Sequence, residues 1–238
     1  PYRRQRQMCI RDSCGCTSLK KIVIPDGITS IEGSVFYGCT SLTEITIPDS
    51  VTSIWSSAFR GCSSLTEITI PDRVTSIGDS AFYSCTSLTE ITIPDSVTNI
   101  EGFVFTDTPW LTAKQEENPL VILNGTLIDG TTCTGSVTIP DGVTSIAGGA
   151  FDSCTGLTAI AIPKSVTSIG DSAFYRCTSL TEITIPDSVT SMGDYVFDGC
   201  TGLTKITIPD SITSISDYAF RSCTGSVSYT HLTLPTIR

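Results

Sequence analysis

The sequence is poor in histidine, in basic residues and in long apolar runs, and each shortage excludes a class of protein. Its 238 residues include one histidine and 14 lysines and arginines against 24 aspartates and glutamates, for a net charge of −10. This acidity argues against a nucleic-acid partner, because proteins bind the phosphate backbone through lysine and arginine. No apolar run approaches the ~18 residues that a membrane-spanning helix needs, so the sequence predicts no membrane span.

The two ends of the chain differ from the rest and match translated library DNA. Residues 3–13 fit the codons of an adapter and mosaic end used in transposase-based sequencing libraries, and residues 227–236 fit the reverse complement in another frame. We interpret 1–13, expected to be disordered, and 227–238 as adapter artefacts and exclude both from fold prediction. A basic N-terminal arm is the alternative for the first segment. On our interpretation the chain is an internal fragment whose body is 14–226.

The body of the chain lacks the residues that most enzymes use. Removing the five arginines and one aspartate of the ends from the 14 basic and 24 acidic residues leaves 9 basic and 23 acidic residues, a net charge of −14. The single histidine, His231, lies in the excluded segment 227–238. The body therefore contains no histidine, and no Ser-His-Asp or Cys-His arrangement can form within it. No G-x-x-x-x-G-K-[ST] loop occurs either. We therefore expect no catalysis and no cofactor within the body.

Cysteines recur every 23 residues and mark a tandem repeat. The spacing holds in two runs: Cys16, Cys39, Cys62 and Cys85, then Cys154, Cys177, Cys200 and Cys223. Stacked coils would place neighbouring cysteines about 5 Å apart at Cα. This distance suits a disulfide, but equivalent side chains point the same way, against the crossed geometry that a disulfide requires. Zinc would need clustered thiolates or histidines, so we predict buried free thiols and no metal site.

The apolar spacing within one unit predicts a short strand followed by a turn. The rhythm L-x-x-I-x-I turns Ile68 and Ile70 inward, and Pro71 ends the strand because it cannot donate to a ladder. Ile77 is expected on a second inward edge and Asp79 at the start of a short helical turn. A 23-residue unit buries too little apolar surface to fold alone, so the units must stack. The sequence thus predicts a solenoid with a parallel sheet along one face.

The middle of the body interrupts the repeat. Thr108 stands at a cysteine position and opens an irregular unit, 108–132. Two short apolar segments flank Asn124-Gly125, a pair that favours a tight hairpin turn. Cys133 then begins a shortened unit of 21 residues. We interpret the irregular unit as a variant coil that keeps the stack continuous, with a domain boundary as the alternative.

The pattern C-x-x-L-x-x-I-x-I-P-x-x-V-x-x-I-x-x-x-A-F resembles the BspA-like leucine-rich repeats across essentially all of residues 14–226. The interrupted unit with Trp110 and Asn124-Gly125 is also similar to one that recurs in that family. The resemblance implies one right-handed leucine-rich-repeat solenoid, with a parallel β-sheet on one face and short helical or 3-10 turns and loops on the other. It also implies a bacterial or protozoan protein, at the cell surface or secreted, that adheres to host matrix proteins or to other cells.

The outward positions of the strands form acidic, threonine-rich columns and are the candidate binding face. Neighbouring glutamates at one-coil spacing repel each other unless a cation or a basic partner neutralises them. This predicts a docking face for a basic protein or a glycan, with Ca²⁺ left open, and a solvated polar face is the alternative. Trp55 and Trp110 are candidate anchors, with ordinary packing as their alternative. The candidate set is Glu44, Thr46, Glu67, Thr69, Glu90, Thr92, Glu182, Thr184, Lys205, Thr207, Trp55 and Trp110.

These observations predict a non-enzymatic adhesion or protein-binding module of a cell-surface protein. A structural spacer or scaffold with no ligand of its own is the alternative. An enzyme whose catalytic domain lies outside this fragment is the third class. We also expect that coils without capping repeats fray or associate end to end.

Overall fold

A computed structural model describes residues 13–225 and the backbone of Ser228–Thr230. Most of the two segments interpreted as adapter sequence, namely 1–12, 227 and 231–238, lies outside the described residues. The chain divides into two compact units, Pro1–Glu117 and Asn118–Arg238. That all coils form one continuous stack stays a prediction.

Each regular coil of the first unit contributes two short parallel strands. The three-residue strands carry the outward glutamate and threonine, and their Ile partners are aligned 23 residues apart, as in Ile68 with Ile91. They form two ladders, β1–β3 and β5–β7. The strands of this unit are β1 Lys21–Val23, β2 Ser30–Ile31, β3 Glu44–Thr46, β4 Ser53–Ile54, β5 Glu67–Thr69, β6 Ser76–Ile77, β7 Glu90–Thr92 and β8 Asn99–Ile100.

A second parallel ladder, β2–β4–β6–β8, joins the two-residue strands. Sequence analysis expected one sheet and an inward edge here, so the second ladder is a refinement of the predicted solenoid. The 23-residue register also aligns backbone groups on this edge: the amide of Thr75 donates to the carbonyl of Thr52 at 2.9 Å, one coil earlier. The Thr75 hydroxyl donates to the same carbonyl oxygen at 3.3 Å.

The second unit repeats this plan with two five-stranded sheets. The order is β11–β13–β15–β17–β18 in one, all parallel, and β16–β14–β12–β10–β9 in the other, where β9 and β10 are antiparallel. Its strands are β9 Val121–Leu123, β10 Thr126–Asp129, β11 Gly135–Thr138, β12 Ser145–Ile146, β13 Leu157–Ala161, β14 Ser168–Ile169, β15 Glu182–Thr184, β16 Ser191–Met192, β17 Lys205–Thr207 and β18 Ser228–Thr230.

Strand β18 lies beyond Ser226, where sequence analysis ended the solenoid. Its backbone pairs with β17 in the same 23-residue register, with Lys205 opposite Ser228. A parallel edge pairs through backbone groups and therefore accepts an extended segment of unrelated sequence. The described ladder thus extends into the segment that we interpreted as adapter sequence.

Phenylalanine columns form the centre of the core in each unit. In the first unit the rings of Phe36, Phe59 and Phe82 are fully buried, with neighbouring centroids 5.3 and 5.2 Å apart and nearly parallel planes. In the second unit Phe151 and Phe174 stack at 5.2 Å. Centroid separations of this size are favourable for offset aromatic rings. Through these columns, each coil gains apolar contacts with its neighbours that an isolated 23-residue repeat would lack.

The segment predicted as a short helical turn is a run of hydrogen-bonded turns. The amide of Ala81 donates within its own coil to Gly78 at 3.2 Å, whereas that of Phe82 donates to Val104 of the next coil at 2.9 Å. The alternation is possible because Ser80 and Ser84 adopt left-handed backbone conformations, with φ of 56° and 55°. Left-handed serines cost a little conformational energy, which the inter-coil hydrogen bonds offset.

The irregular segment contains α1, Pro109–Glu117, which sequence analysis did not predict. Thr108 is its N-cap: its hydroxyl oxygen accepts the amide of Leu111 at 3.2 Å. Proline follows at the first helical position, where its missing N–H costs nothing. The predicted hairpin is confirmed as β9–β10, with Asn124 and Gly125 both at positive φ, 47° and 80°, as the tight turn requires.

Candidate docking face

The predicted columns on the strand face exist within each unit. In the first, Lys21 lies opposite Glu44 and Glu67 opposite Glu90. In the second, Glu182 lies opposite Lys205 and next to Ala159. The threonines one pleat along are exposed, except Thr207, which is half-buried. They are Thr46, Thr69, Thr92, Thr184 and Thr207.

Lysines neutralise the glutamates at one end of the column in each unit. The ammonium of Lys21 lies 2.5 Å from the Glu44 carboxylate, with both side chains more than half exposed, and Lys205 pairs with Glu182 in the same way. Exposed pairs of this kind contribute at most about 1 kcal/mol to folding. These pairs matter because they change the local charge. The lysines neutralise Glu44 and Glu182, two of the glutamates that were predicted to repel their neighbours.

Glu67 and Glu90 carry the uncompensated charge of the first unit. Both side chains are exposed, and within residues 13–225 neither makes an ion pair or a side-chain hydrogen bond. Their strands are in register, so the carboxylates project from neighbouring strands on the same face. Like charges placed directly opposite one another destabilise a sheet, and this pair has nothing within the described chain to relieve the repulsion.

A shallow groove of about 390 Å³ opens on this face where the strand ladder is interrupted. Strand β3 pairs with β1 and β5 with β7, but no ladder joins β3 to β5 in the described structure. Asp49, an exposed residue that sequence analysis did not select, lies on the groove. Among residues 13–225, the side chains that line it are acidic, hydroxyl-bearing or aliphatic, and none is basic or aromatic. It consists of Thr43, Glu44, Ile45, Thr46, Ile47, Asp49, Glu67, Ile68, Thr69, Pro71, Glu90 and Thr92.

Two groups of threonines differ in what their hydroxyls contact. One group donates to the backbone of the preceding coil, and the other is exposed on the strand face. Off the strand face, the hydroxyl of Thr52 donates to Thr29 of the preceding coil at 3.1 Å, and Thr75 repeats this contact. By contrast, no hydroxyl hydrogen bond is made by Thr46 or Thr69 within the described part of the chain, nor by Thr92. The groove therefore presents exposed hydroxyls that no other described group engages, beside the carboxylates of Glu67 and Glu90.

The two tryptophans of the candidate set have different environments. Trp55 is 54% exposed, and its indole N–H donates to the hydroxyl of Ser53 at 3.1 Å. Trp110 is 8% exposed and packs against Phe105 with ring centroids 4.7 Å apart. Trp110 is therefore a core residue of the irregular segment, and its selection as a surface anchor was wrong. The packing alternative weighed for it fits the structure.

The repeat cysteines are free thiols, and most of them are buried. Desolvation raises the pKa of Cys85 to about 12 and those of Cys133 and Cys223 to about 11. A thiol with such a pKa is protonated at neutral pH, and it is the thiolate that binds zinc or attacks an electrophile. Among residues 13–225, no group of three His, Cys, Asp or Glu side chains is placed to hold a metal ion.

No helix in the described residues is both long enough and apolar enough to cross a bilayer. Stacked 23-residue coils, a parallel strand face and columns of buried phenylalanines and cysteines define a leucine-rich-repeat solenoid. The family model for the BspA type leucine-rich repeat region matches six copies, over residues 12–124 and 129–236. The chain belongs to this family.

Solved bacterial structures resemble the chain over most of its length. A leucine-rich cell surface protein from Faecalibacterium prausnitzii is 31% identical over 92% of this chain and 62% of its own, with a TM-score of 0.49. A leucine-rich repeat protein from Bacteroides ovatus is 31% identical over 91% and 56%, with a TM-score of 0.45. One from Eubacterium ventriosum is 24% identical over 96% and 67%, with a TM-score of 0.50, and supports the fold.

The chain thus spans less than two thirds of the length of the first two of these proteins. No curated protein sequence matches the chain significantly.

Proposed function

We propose that the chain is a non-enzymatic binding module of a cell-surface or secreted repeat protein, and that its strand face docks a protein or glycan partner. The partner belongs to the host matrix or to another cell surface, as the family resemblance implies. Solenoids of stacked repeats commonly bind through the extended surface that their repeats create. Membership of the BspA-type family supports this general role.

The observation that carries the proposal is the groove on the strand face of the first unit, with its acidic pair Glu67 and Glu90. Off the strand face, the hydroxyls of Thr52 and Thr75 donate to the backbone of the preceding coil. On the strand face of the first unit, a groove collects unpaired carboxylates and hydroxyls. Uncompensated polar groups beside a groove favour a ligand over a purely structural spacer, because a spacer gains nothing from the repulsion between Glu67 and Glu90.

A blocking variant tests the proposal. The protein is screened against a panel of purified matrix proteins and a glycan array, and any partner is then tested with Thr69→Trp, which fills the groove without changing charge. Thr98→Trp is the control, since Thr98 is exposed on the same stack but does not line the groove. We expect the first variant to abolish binding and the second to leave it unchanged. Equal binding by both variants, or no partner at all, would favour the spacer.

A further inference from the structure

We propose that the groove between β3 and β5 receives a cationic segment of a protein partner, with Glu67 and Glu90 as its charged contacts. The inference rests on the proposed function, because it names the chemistry of the partner at the same face. It also chooses between the two classes of partner, protein and glycan, that the proposed function leaves open.

The first step of the argument is the charge left on the groove. Glu67 and Glu90 are directly opposite each other on paired strands, and strands in a sheet are about 4.8 Å apart. Asp49 adds a third carboxylate without an ion pair to a lining that also contains the lysine-paired Glu44, and none of the described residues that line the groove is basic. A guanidinium or ammonium group placed between Glu67 and Glu90 would convert a repulsive pair into two attractive ones.

The second step is that glutamates of the strand face already bind cations within this chain. At the same column position, one coil before the groove, Lys21 extends its ammonium group to Glu44. In the second unit Lys205 does the same for Glu182. Each lysine comes from the strand adjacent to its glutamate, so a cation one strand spacing away is geometrically suited to the column. At Glu67 and Glu90 the chain supplies no such cation in its described part, and a partner can.

The third step concerns the rest of the lining. Thr46, Thr69 and Thr92 offer unpaired hydroxyls beside the carboxylates, which suit the backbone amides and carbonyls of an extended peptide. Ile68 is buried in the floor of the groove. None of the described residues that line the groove has an aromatic ring on which a sugar could pack, and an acidic glycan would be repelled. The groove therefore fits an extended peptide with arginine or lysine better than a glycan.

The interruption between β3 and β5 places the site here and not on another coil. The sequence around Glu44 is nearly the same as that around Glu67, yet in the described part of the first unit β3 and β5 lack a ladder between them while each is paired on its other side. The groove follows the interruption and is lined from both strands. The acidic pair Glu67 and Glu90 and the groove therefore coincide at one location within the first unit.

Fluorescence anisotropy with a labelled peptide of alternating arginine and serine tests the inference on the full chain. The comparison peptide carries citrulline in place of arginine, which keeps the shape and removes the charge. The test variant is Glu67→Gln with Glu90→Gln. The matched control is Asp72→Asn with Asp95→Asn, which removes the same charge from the same coils, at exposed residues that do not line the groove.

We expect the glutamine pair to weaken binding of the arginine peptide about tenfold, since each exposed charge contact accounts for a few-fold in affinity. The asparagine control should stay within about twofold of wild type, and added salt should weaken binding of the arginine peptide. The citrulline peptide should bind poorly to every protein. Equal losses in both variants would show attraction to the overall negative charge of the chain and would overturn the inference, as would equal binding of the two peptides.

The outcome separates this inference from the proposed function. If a matrix protein is lost by Thr69→Trp but retained by the Glu67→Gln and Glu90→Gln variant, the strand face docks a partner without a cationic contact, and only the inference fails. If Thr69→Trp retains every partner found, the proposed function fails, whatever the synthetic peptide does.

Discussion

The thiol of Cys62 donates a hydrogen bond to the carbonyl oxygen of Phe36, 3.1 Å away in the preceding coil. The same contact joins Cys85 to Phe59 and, in the second unit, Cys177 to Phe151. The cysteine at each 23-residue step is thus a small buried side chain with one polar function. It adds a second hydrogen bond to a buried carbonyl that already accepts a backbone amide, as Phe36 does from Cys39 at 3.1 Å.

Replacement of Cys62 by alanine should lower the free energy of unfolding by about 1–3 kcal/mol. The change removes the sulfur from a fully buried site and one of the two hydrogen bonds that the carbonyl of Phe36 accepts, since the amide of Cys39 remains its other donor. Urea denaturation followed by circular dichroism measures the effect. Cys14→Ala is the control, because Cys14 is exposed. A loss as large in the control would contradict the role assigned to the buried column.

Alkaline pH should destabilise the protein through its buried thiols. Burial raises the pKa of Cys85 to about 12 in the folded state, above the value of about 8.5 expected in the unfolded chain. The thiol therefore stabilises the fold fully below about pH 8.5, and this contribution is lost as the pH rises towards 12. Between about pH 8 and pH 10 the loss from this residue is about 2 kcal/mol.

Comparing wild type with Cys85→Ala isolates that contribution, because lysines and tyrosines titrate in both proteins. Urea midpoints are measured with a reductant present at several pH values. The gap in stability between the two proteins should narrow as the pH rises. A gap that stays constant would mean that Cys85 ionises at the same pH in the folded and unfolded states.

Removing the N-cap of α1 should destabilise the first unit locally. Thr108 accepts the amide of Leu111 and donates its own hydroxyl to the carbonyl of Phe105 at 2.6 Å. Thr108→Ala removes both contacts, at an expected cost of about 1–2 kcal/mol. Thr108→Ser keeps the hydroxyl and should cost less than half as much. Hydrogen exchange of the α1 amides distinguishes the two variants, and identical exchange rates would refute the capping role.

Lys21→Gln should increase the negative charge that the groove presents and should leave the fold intact. The substitution releases Glu44, which lines the groove and is otherwise paired with Lys21. Exposed ion pairs contribute little to folding, so stability should change by less than about 1 kcal/mol. Affinity for the arginine peptide should rise by about two- to fivefold.

Lys20→Gln makes the same change in charge at the neighbouring exposed residue, which has no ion pair with Glu44. It should raise affinity less than Lys21→Gln does. An equal rise would mean that only net charge matters.

Local sequence was sufficient to predict several features, because single residue types decide them. Asn124-Gly125 specifies a turn with positive φ at both positions, and the structure has it. The 23-residue spacing places Glu67 beside Glu90, and the ladder does so. The pairing of Lys21 with Glu44 was available from the same spacing, since opposite charges stand 23 residues apart. Helix α1 had a signal in the Thr108-Pro109 cap, but only Trp110 and Leu111 of its residues are buried.

The position of the groove could not be predicted from local sequence. Glu44-Ile-Thr46 and Glu67-Ile-Thr69 are the same three residues, yet the ladder is broken between them. Whether neighbouring strands approach closely enough to pair depends on how whole coils settle against each other. Small differences in packing decide this, and near-identical repeats do not encode it. The environment of Trp110 likewise depends on its contact with Phe105, which the regular repeat does not specify because no regular coil has a tryptophan at that position.

The bonds between coils also have a consequence for how such a chain changes length over generations. Thr75 donates its amide to Thr52, and Thr98 donates its own to Thr75. If recombination between repeats deleted residues 53–75, the amide of Thr98 would lie next to the carbonyl of Thr52. It could then form the same hydrogen bond that it now forms with Thr75. Gains and losses of whole 23-residue coils within a regular run are therefore nearly neutral for folding. Selection can then adjust the reach of the molecule by copy number while the individual coil stays the same.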